Sequence, residues 1–481
     1  MALRLLNTLS RSLEPFEPLR EGEVRVYGCG PTIYGYAHVG NYRSFMVYDL
    51  LHRWLEWSGY DVRYVMNLTD VDDRTIDAAV EEGVTVQEYT KPYGERFLAD
   101  CRTLGILDAD SYPRATEYVG PMISFVETLV EKEHAYVTED GSVYYSIASF
   151  PAYGKLSGID PDQVRPGARV ATDDYEKDDA RDFALWKAAK AKDEAAGAAW
   201  DSPWGRGRPG WHLECSVMST GELGDTIDIH LGGEDLVFPH HEDEIAQSEA
   251  VTGRTFVRYW LHVKHLRLEG EKMSKSLGNT VTVQELVSEG HEPAAIRHQL
   301  LGAHYRSELN FTRDGLVASG NAVQRLLDFE SRLESTPVSG DAVAPDLSVH
   351  AAQALETFRS AMDADLNSAD ALAALFVLVS RANAALDAAD GPVPAEGRDA
   401  VLEAVRSMDR VLGLLELARA GRTVDAETEA WIESRIEERK AARAARDFGR
   451  ADAIRDELQE KGVVLEDSAD GTRWKVVRPV G

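Results

Sequence analysis

Two adjacent histidines precede three carboxylates near the middle of the chain, in the stretch "FPHHEDE" at 238–244. Proline suits the first turn of a helix, where its missing N–H group costs nothing, so Pro239 predicts a helix start. His240 and Glu244 are then four residues apart and lie on one face of that helix. A histidine and a carboxylate at this spacing can bind one metal ion together.

The neighbours of this pair have other interpretations. Acidic residues in the first turn of a helix interact favourably with the positive end of the helix dipole. Glu242 and Asp243 are therefore predicted to stabilise the helix start. Two interpretations of His241 stay open. It is either a hydrogen-bond partner of a metal ligand or an ordinary residue of the helix start.

The cysteines Cys29, Cys101 and Cys215 are few, odd in number and far apart, which argues against a disulfide framework. Each is a buried free thiol or a metal ligand. Cys29 ends a predicted strand, and together with Cys215, His240 and Glu244 it would make a tetrahedral site suited to zinc. The spacing matches no zinc-finger pattern, so buried thiols remain the alternative.

Two further stretches are suited to phosphate binding. In "GPTIYGYAHVGNYRS" a helix is predicted to begin near His38, with Gly40 in its first turn, and helix N-termini bind phosphate readily. In "EGEKMSKSLGN" the side chains of Lys272 and Lys275 can neutralise a triphosphate, and one such preorganised donor is worth about 3 kcal/mol in catalysis. The alternatives are an ordinary helix start and a solvated lysine turn.

Alternating strands and helices must position these groups. Strands are predicted at 23–30 and 61–70 with a helix between them, an order that predicts a parallel sheet with a right-handed crossover. The same pattern resumes with strands at 226–233 and 255–270. After about residue 315 helical periodicity dominates, so the expected class is α/β followed by an α-helical region.

The chain carries 82 acidic and 52 basic residues, a formal charge of −30. Such a surface repels nucleic acid over most of its area, so any nucleic-acid site must be a local basic patch. Two explanations stay open: adaptation to high salt, where screening shortens the repulsion, or the lack of a polyanionic partner.

One candidate patch lies near the C-terminus. Its basic side chains are those of Arg435, Arg439, Lys440, Arg443, Arg446 and Arg450. Phe448 and Trp474 could stack there on unpaired bases. The alternative is a solvated helix in which these residues pair with neighbouring glutamates.

No membrane segment is predicted. The chain has no uncharged apolar run of roughly eighteen residues, and its first stretch has no apolar run of signal-sequence length. We therefore expect a soluble, cytoplasmic protein.

The combination of motifs resembles the cysteinyl-tRNA synthetase family of class I aminoacyl-tRNA synthetases, over essentially the whole chain. The stretches that carry the resemblance are "YGCGPTIYGYAHVGN", "NLTDVDDR", "WDSPWGRGRPGWHLECSVMS", "HLGGEDLVFPHHEDEIAQSEA", "KMSKSLGN", "HYRSELNFT" and "RDFGRADAIRDELQEKGVVLED".

The resemblance implies roles for individual residues. His38, Gly40 and Asn41 match the family's His-x-Gly-His element, with Asn in its last position, and Lys272 and Lys275 match its lysine loop. Of these, His38, Asn41, Lys272 and Lys275 would act in catalysis. The residues that would bind ATP are His38, Gly40, Asn41 and Lys275. Four residues fall on the family's zinc ligands: Cys29, Cys215, His240 and Glu244. The amino-acid pocket would be lined by Cys29, Thr69, Trp211 and Asp235.

The implied reaction is the ATP-dependent attachment of L-cysteine to tRNA(Cys) through a cysteinyl-adenylate, with ATP bound as its Mg²⁺ complex and one Zn²⁺ per chain selecting the thiolate. The implied protein is a monomer. The expected domains are two halves of a Rossmann-like catalytic domain at 1–110 and 209–315, an inserted domain contacting the acceptor end at 111–208, a helical anticodon-binding domain at 316–416, and a small C-terminal domain at 417–481.

The closest rival is a ligase of the same fold that joins activated cysteine to an amino sugar. It would share the zinc site and the adenylation step. The extended helical and C-terminal segments argue against it, because a small acceptor needs no anticodon-reading part.

Overall fold

The computed structural model describes residues 2–160, 182–273, 278–339, 347–389, 391–422, 426–468 and 471–476. The elements of the first part are β1 (Arg4–Asn7), β2 (Ser12–Pro15), β3 (Glu23–Gly28), α1 (Val39–Trp57), β4 (Asp61–Met66), α2 (Asp73–Glu82) and α3 (Val86–Thr103). Those of the second part are α4 (Val119–Glu131), β5 (Ala135–Val137), β6 (Val143–Tyr145), β7 (Phe183–Ala188), α5 (Ala191–Ala195) and β8 (Gly207–Pro209).

The third part contains α6 (Trp211–Leu223), β9 (Ile227–Gly233), α7 (Glu242–Thr252), β10 (Val257–Val263), β11 (Leu266–Leu268), β12 (Glu271–Lys272), α8 (Val283–Ser288), α9 (Pro293–Leu301) and β13 (Leu309–Phe311). The remaining elements are α10 (Arg313–Ser335), α11 (Leu347–Asp363), α12 (Ser368–Ala388), α13 (Ala395–Leu412), α14 (Leu415–Ala420), α15 (Ala426–Ala444), α16 (Phe448–Glu460), β14 (Val463–Ser468) and β15 (Gly471–Val476).

Among the described residues, four parallel strands form the central sheet, in the order β10–β9–β3–β4. β3 pairs with strands on both sides, so that Tyr27 lies opposite Val65 on β4 and opposite His230 on β9. Helix α1 makes the crossover between β3 and β4. The strands are largely buried and apolar, as in parallel sheets covered on both faces. The predicted α/β class is therefore confirmed.

Two details of the prediction were wrong. The strand expected at 255–270 is split, because β11 leaves the central sheet and joins β12 and β13 in a second one. The helix expected from Pro239 begins at Glu242, after a separate π-helical turn at Val237–His241. Phe238 has extended backbone angles, the conformation that a following proline favours, and this separates the turn from the chain before it.

An antiparallel sheet, β5–β6–β7–β8, is inserted between the two halves of the parallel sheet. Its ion pairs attach it to the start of α2. Asp73 accepts hydrogen bonds from Lys187 on β7 at 3.1 Å and from Arg208 on β8 at 2.5 Å. These contacts join the insertion to the segment that follows β4.

Helices α10 to α14 form the part that follows. Within the described residues, α12 is long and apolar enough to cross a membrane by length and composition, but half of its apolar stretch is buried against the rest of the protein. A core helix of a soluble protein has the same properties, so α12 is weak evidence for a membrane span.

A buried arginine joins this helical part to the part of the chain around the central sheet. Arg297 on α9 pairs with Asp49 of α1 at 2.5 Å, and both side chains are fully buried. Its remaining N–H groups donate to the carbonyl oxygens of Leu412, at the end of α13, and of Gly105, after α3. Asp49 also accepts hydrogen bonds from Arg53. One guanidinium therefore joins four segments of the chain.

Replacing Arg297 with Met should lower the free energy of unfolding by about 3–5 kcal/mol, because Asp49 and the two carbonyl oxygens lose a buried partner. Urea denaturation followed by circular dichroism measures the change. The matched control is Arg254→Ala, which removes an exposed pair with Asp225 and should cost less than about 1 kcal/mol. Equal losses in the two variants would contradict the prediction.

Candidate active site and metal centre

A cavity of about 530 Å³ opens at the carboxyl ends of the central strands, where ligands bind in open α/β sheets. It brings together most of the predicted site residues. Those that line it are Cys29, His38, Gly40, Asn41, Thr69, Trp211, Asp235 and Lys272. Cys215, His240 and Glu244 lie buried beside Cys29, and Lys275 is outside the described residues.

Metal-ligating atoms of three residues converge beneath the cavity. The Cys29 sulfur lies 3.9 Å from the Cys215 sulfur and 3.7 Å from Nε2 of His240. They come from the end of β3, from α6 and from the turn before α7. In a tetrahedral zinc site with Zn–S bonds of about 2.3 Å, the ligand atoms lie about 3.8 Å apart. The donor types and their spacing therefore fit a metal ion.

Glu244 lies next to this group. Its Oε1 is 3.1 Å from Nε2 of His240, and its Oε2 accepts a hydrogen bond from Nε2 of His230 at 2.9 Å. Oε1 is buried and has no hydrogen-bond donor among the described residues. Burial of such an oxygen is unfavourable unless a donor or a cation compensates it. A cation held by Cys29, Cys215 and His240 would lie close enough to do so.

The pKa values of the group are shifted by mutual contact. A hydrogen bond from the Cys215 thiol, assisted by His240 and opposed by burial, lowers the pKa of Cys29 to about 6. The same contact and burial raise the pKa of Cys215. Burial alone would lower the pKa of His240, but Glu244 and Cys29 raise it to about 9. At neutral pH these directions give one thiolate beside one imidazolium.

Aromatic rings enclose His240 and its neighbours, and sequence reasoning missed most of them. The Trp211 ring stacks on His240 with centroids 4.5 Å apart. Nδ1 of His212 lies 3.0 Å from Nδ1 of His240, so one ring nitrogen donates to the other. His230 stacks on Trp260 at 4.4 Å. A histidine inside each of two neighbouring strands, His230 in β9 and His262 in β10, was the available signal.

His241 lies in this layer and does not line the cavity. Its Nδ1 is 2.8 Å from Nε2 of His262, whose Nδ1 is 2.7 Å from the Thr8 hydroxyl. Burial lowers the pKa of His241 well below its usual value, with neighbouring imidazoles adding to the effect, and burial lowers that of His262 to about 3. Both rings are therefore neutral. Among the described residues, the hydrogen bond of His241 goes to His262 and to none of the four candidate ligands, so the structure does not support the interpretation of His241 as a hydrogen-bond partner of a ligand.

Glu242 and Asp243 were predicted to stabilise the helix start through its dipole. The structure corrects this prediction, because both residues also bind a loop of the insertion. Both are fully buried. The Glu242 carboxylate accepts hydrogen bonds from the backbone N–H groups of Gly154 at 2.9 Å and Ser157 at 2.8 Å. Asp243 accepts a hydrogen bond from the Tyr153 hydroxyl. The first turn of α7 thus holds a loop of the insertion against the metal-binding group.

Two glycines at the end of β9 allow side chains to approach closely. A Cβ atom on Gly232 would lie 2.2 Å from Cε1 of His241, and one on Gly233 would lie 2.5 Å from Oδ1 of Asp235. Both distances are shorter than contact distance. Any larger residue would therefore displace the histidine layer or the carboxylate that lines the cavity.

Helix α1 begins at the cavity wall. The backbone N–H of His38, the residue before the helix, donates to Oδ1 of Asn41 at 3.0 Å. This bond orients the amide of Asn41, whose Nδ2 remains a donor group at the helix N-terminus. A Cβ atom on Gly40 would lie 2.3 Å from the Met273 methyl carbon, so the side chain of Met273, which follows Lys272, packs on this turn.

The residues before and after the stretch 274–277 are attached to the same turn. Lys272 ends β12, and its carbonyl oxygen accepts a hydrogen bond from Nδ2 of Asn279 at 3.0 Å. The backbone N–H of Val39 donates to the carbonyl oxygen of Val281 at 2.8 Å. Lys272 is thereby held near the first turn of α1, where the predicted phosphate site lies.

Thr69 is held at the opposite wall. Its hydroxyl accepts a hydrogen bond from Nδ2 of Asn67 at 3.2 Å, and Oδ1 of Asn67 accepts one from the N–H of Gly30 at 2.8 Å. The backbone N–H of Thr69 donates to the carbonyl oxygen of Pro31 at 3.1 Å. The chain after β4 is therefore joined directly to the chain after β3.

The basic run near the C-terminus is partly neutralised. Glu438 accepts hydrogen bonds from Arg435 and from Arg450, the latter at 2.5 and 3.0 Å. Phe448 is 62% exposed, whereas Trp474 packs against the small core of this part. Arg435 and Arg450 therefore pair with a glutamate, as the alternative of a solvated helix predicted.

Comparison with protein-family models gives three matches along the chain. Residues 15–321 match the catalytic domain of class I (C) tRNA synthetases, residues 357–416 match the DALR domain, and residues 427–474 match the anticodon-binding domain of cysteinyl-tRNA ligase.

Individual proteins agree with the family models. The chain is 46% identical to the cysteine–tRNA ligase of Koribacter versatilis and 48% identical to that of Solibacter usitatus, covering 99% of this chain and 100% of each relative. Among solved structures, methionyl-tRNA synthetase of Mycobacterium tuberculosis aligns with a TM-score of 0.57 at 15% identity, covering 82% of this chain and 90% of that one. A leucyl-tRNA synthetase of Agrobacterium radiobacter aligns with a TM-score of 0.62 at 12% identity, covering 84% and 86%.

The two solved structures share the fold alone, whereas the family models and the close relatives together cover nearly the whole chain. The chain therefore belongs to the cysteine–tRNA ligase family of class I tRNA synthetases.

Proposed function

We propose that the protein attaches L-cysteine to tRNA(Cys), with ATP and through a cysteinyl-adenylate. The observation that carries this proposal is a single cavity with a Cys29, Cys215 and His240 group at one wall and a phosphate-binding helix start at another. Identity of 46–48% to cysteine–tRNA ligases over 99% of the chain supports it.

The proposed metal is one Zn²⁺, held by Cys29, Cys215, His240 and Glu244. When bound, zinc favours a soft thiolate over a hydroxyl group, which separates cysteine from serine where an apolar pocket could not. The support is the spacing of the Cys29, Cys215 and His240 donor atoms and the position of the buried Glu244 carboxylate, whose Oε1 lies 3.1 Å from Nε2 of His240.

The remaining pocket residues hold the rest of the amino acid. Trp211 is 40% exposed and covers one side of the group, and Asp235 presents a carboxylate that can accept hydrogen bonds from the substrate ammonium group. Thr69, held by Asn67, lies at the opposite wall. Together they orient the substrate carboxylate toward the start of α1.

The first chemical step is attack of the cysteine carboxylate on the α-phosphorus of ATP, in line with the leaving pyrophosphate. His38, Gly40 and Asn41 bind the nucleotide at the start of α1, where the free N–H groups of the helix also point. Lys272 and Lys275, with Mg²⁺, stabilise the charge that grows on the pyrophosphate. A ribose hydroxyl at the 3′ end of the tRNA then attacks the carbonyl carbon of the adenylate, and AMP leaves as the ester forms. No protein nucleophile is required, because positioning and charge carry both steps.

The distribution of tRNA contacts follows from the domains proposed for the family. The insertion at 111–208 contacts the acceptor end, the helical part at 316–416 and the C-terminal part at 417–481 contact the stem and anticodon, and 1–110 with 209–315 carries the chemistry. Matches to the DALR and anticodon-binding models support this assignment and disfavour an amino-sugar acceptor. We propose a cytoplasmic monomer.

Charging assays test the proposed function directly. Bulk tRNA should accept labelled cysteine and no labelled serine, and the same sample should contain about one zinc per chain. Serine attached as readily as cysteine would overturn zinc selection. Cysteine-dependent ATP–pyrophosphate exchange without transfer to tRNA would favour the amino-acceptor ligase instead.

Replacing Cys215 with Ser should remove zinc and raise the KM for cysteine at least about tenfold, because one thiolate ligand is lost. Metal analysis and cysteine-dependent pyrophosphate exchange measure both effects. The matched control is Cys101→Ser, which alters a thiol that is equally buried but lies outside the group. The ligand assignment fails if both variants retain zinc, or if both lose it.

A further inference from the structure

One wall of the cavity is formed by aromatic side chains and an arginine that the proposed cysteine, ATP and zinc sites leave unused. Tyr36 is 59% exposed, although large aromatic side chains are usually covered. Tyr34, Tyr93 and Arg74 line the cavity beside it. This aromatic wall lies toward α2 and α3, whereas Lys272 and Met273 approach from β12.

Contacts among these rings fix the wall in place. The Tyr36 and Tyr93 rings meet edge to face, with centroids 5.1 Å apart, and Tyr93 lies 5.2 Å from Tyr89. The Tyr89 hydroxyl donates to the carbonyl oxygen of Tyr34 at 3.1 Å. Tyr36 therefore presents its exposed ring from a packed support, which lowers the conformational cost of binding a flat ligand.

Arg74 supplies positive charge at the same wall. Its guanidinium lies 5.2 Å from the centre of the Tyr34 ring and donates to the Tyr34 hydroxyl at 3.3 Å. Within the described ranges, no carboxylate lies at ion-pair distance from Arg74. Its neighbour Asp73 is engaged with the insertion, through Lys187 and Arg208. In a chain of formal charge −30, a cation left available at a cavity wall favours an anionic ligand.

We infer that this wall binds the terminal adenosine of the acceptor tRNA: Tyr36 stacks on the adenine and Arg74 pairs with the adjoining phosphate. The inference rests on the proposed function and deepens it. In the transfer step, a ribose hydroxyl must reach the adenylate inside the cavity, so the nucleotide that carries it lies at the cavity wall. An unpaired terminal base offers both ring faces, which aromatic side chains recognise by stacking.

The adenine of ATP is the competing occupant of this wall. ATP phosphates at the start of α1 and beside Lys272 place the nucleotide toward the β11–β12 side of the cavity. Tyr36 instead contacts α3, and Arg74 belongs to α2. The two assignments differ in which step should respond to a change at Tyr36.

A binding cycle that combines a protein change with a tRNA change tests the inference. The tRNA(Cys) transcript and the same transcript without its terminal adenosine are titrated against the wild type, Tyr36→Ala and Tyr36→Phe. The wild type and Tyr36→Phe should bind the full transcript about tenfold more tightly than the shortened one, because both keep the stacking ring. In Tyr36→Ala this difference should disappear. An unchanged difference would overturn the inference.

Kinetics of the separate steps provide the second readout. Preformed enzyme-bound cysteinyl-adenylate is mixed with tRNA, and the single-turnover transfer rate is divided by the rate of cysteine-dependent pyrophosphate exchange. This ratio should fall about tenfold in Tyr36→Ala and in Arg74→Ala, and stay near the wild-type value in Tyr36→Phe. Equal losses in both steps would assign the wall to ATP and overturn the inference. A wild type that activates cysteine but transfers none would instead refute the proposed function.

Discussion

Compensation of buried charge is the constraint on which the catalytic part of this protein depends. His240, Glu244 and the two cysteines are buried, with Cys29 the most exposed of them at 7%, and an unpaired charge in such a place is strongly unfavourable. Each charged group therefore lies against an opposite charge or a hydrogen-bond donor: Oε1 of Glu244 faces Nε2 of His240, and its Oε2 accepts a hydrogen bond from His230. The surrounding imidazole and indole rings exclude water, which strengthens every electrostatic interaction within the group.

The same constraint explains how distant parts of the chain are joined. Arg297 and Asp49 are both fully buried, and the loss of either would leave the other without its closest opposite charge in the interior. Their contact brings α9 and the end of α13 to helix α1, whose first turn lies at the cavity. The helical part and the active-site helix therefore belong to one packed unit.

Local patterns predicted much of this arrangement. Alternation of strands and helices predicted the parallel sheet, and the spacing of His240 and Glu244 predicted a shared face. Residues whose role depends on distant partners were not predictable, because periodicity carries no information about long-range contacts. Glu242 bonds to Gly154, which is 88 residues away, and His241 bonds to His262 on another element. The start of α7 was misplaced because a π-helical turn at Val237–His241 precedes it, and hydrophobic pattern does not distinguish such a turn from the first turn of an α-helix.

Attachment of the 153–157 loop to the first turn of α7 has a geometric consequence. The insertion is supported on two sides, by Glu242 and Asp243 at one end and by Asp73 at the other. A body supported at two separated points cannot pivot about either one alone. Rotation of the insertion about one attachment would therefore strain the other, and the attachment at Glu242 and Asp243 lies between His240 and Glu244 in the sequence.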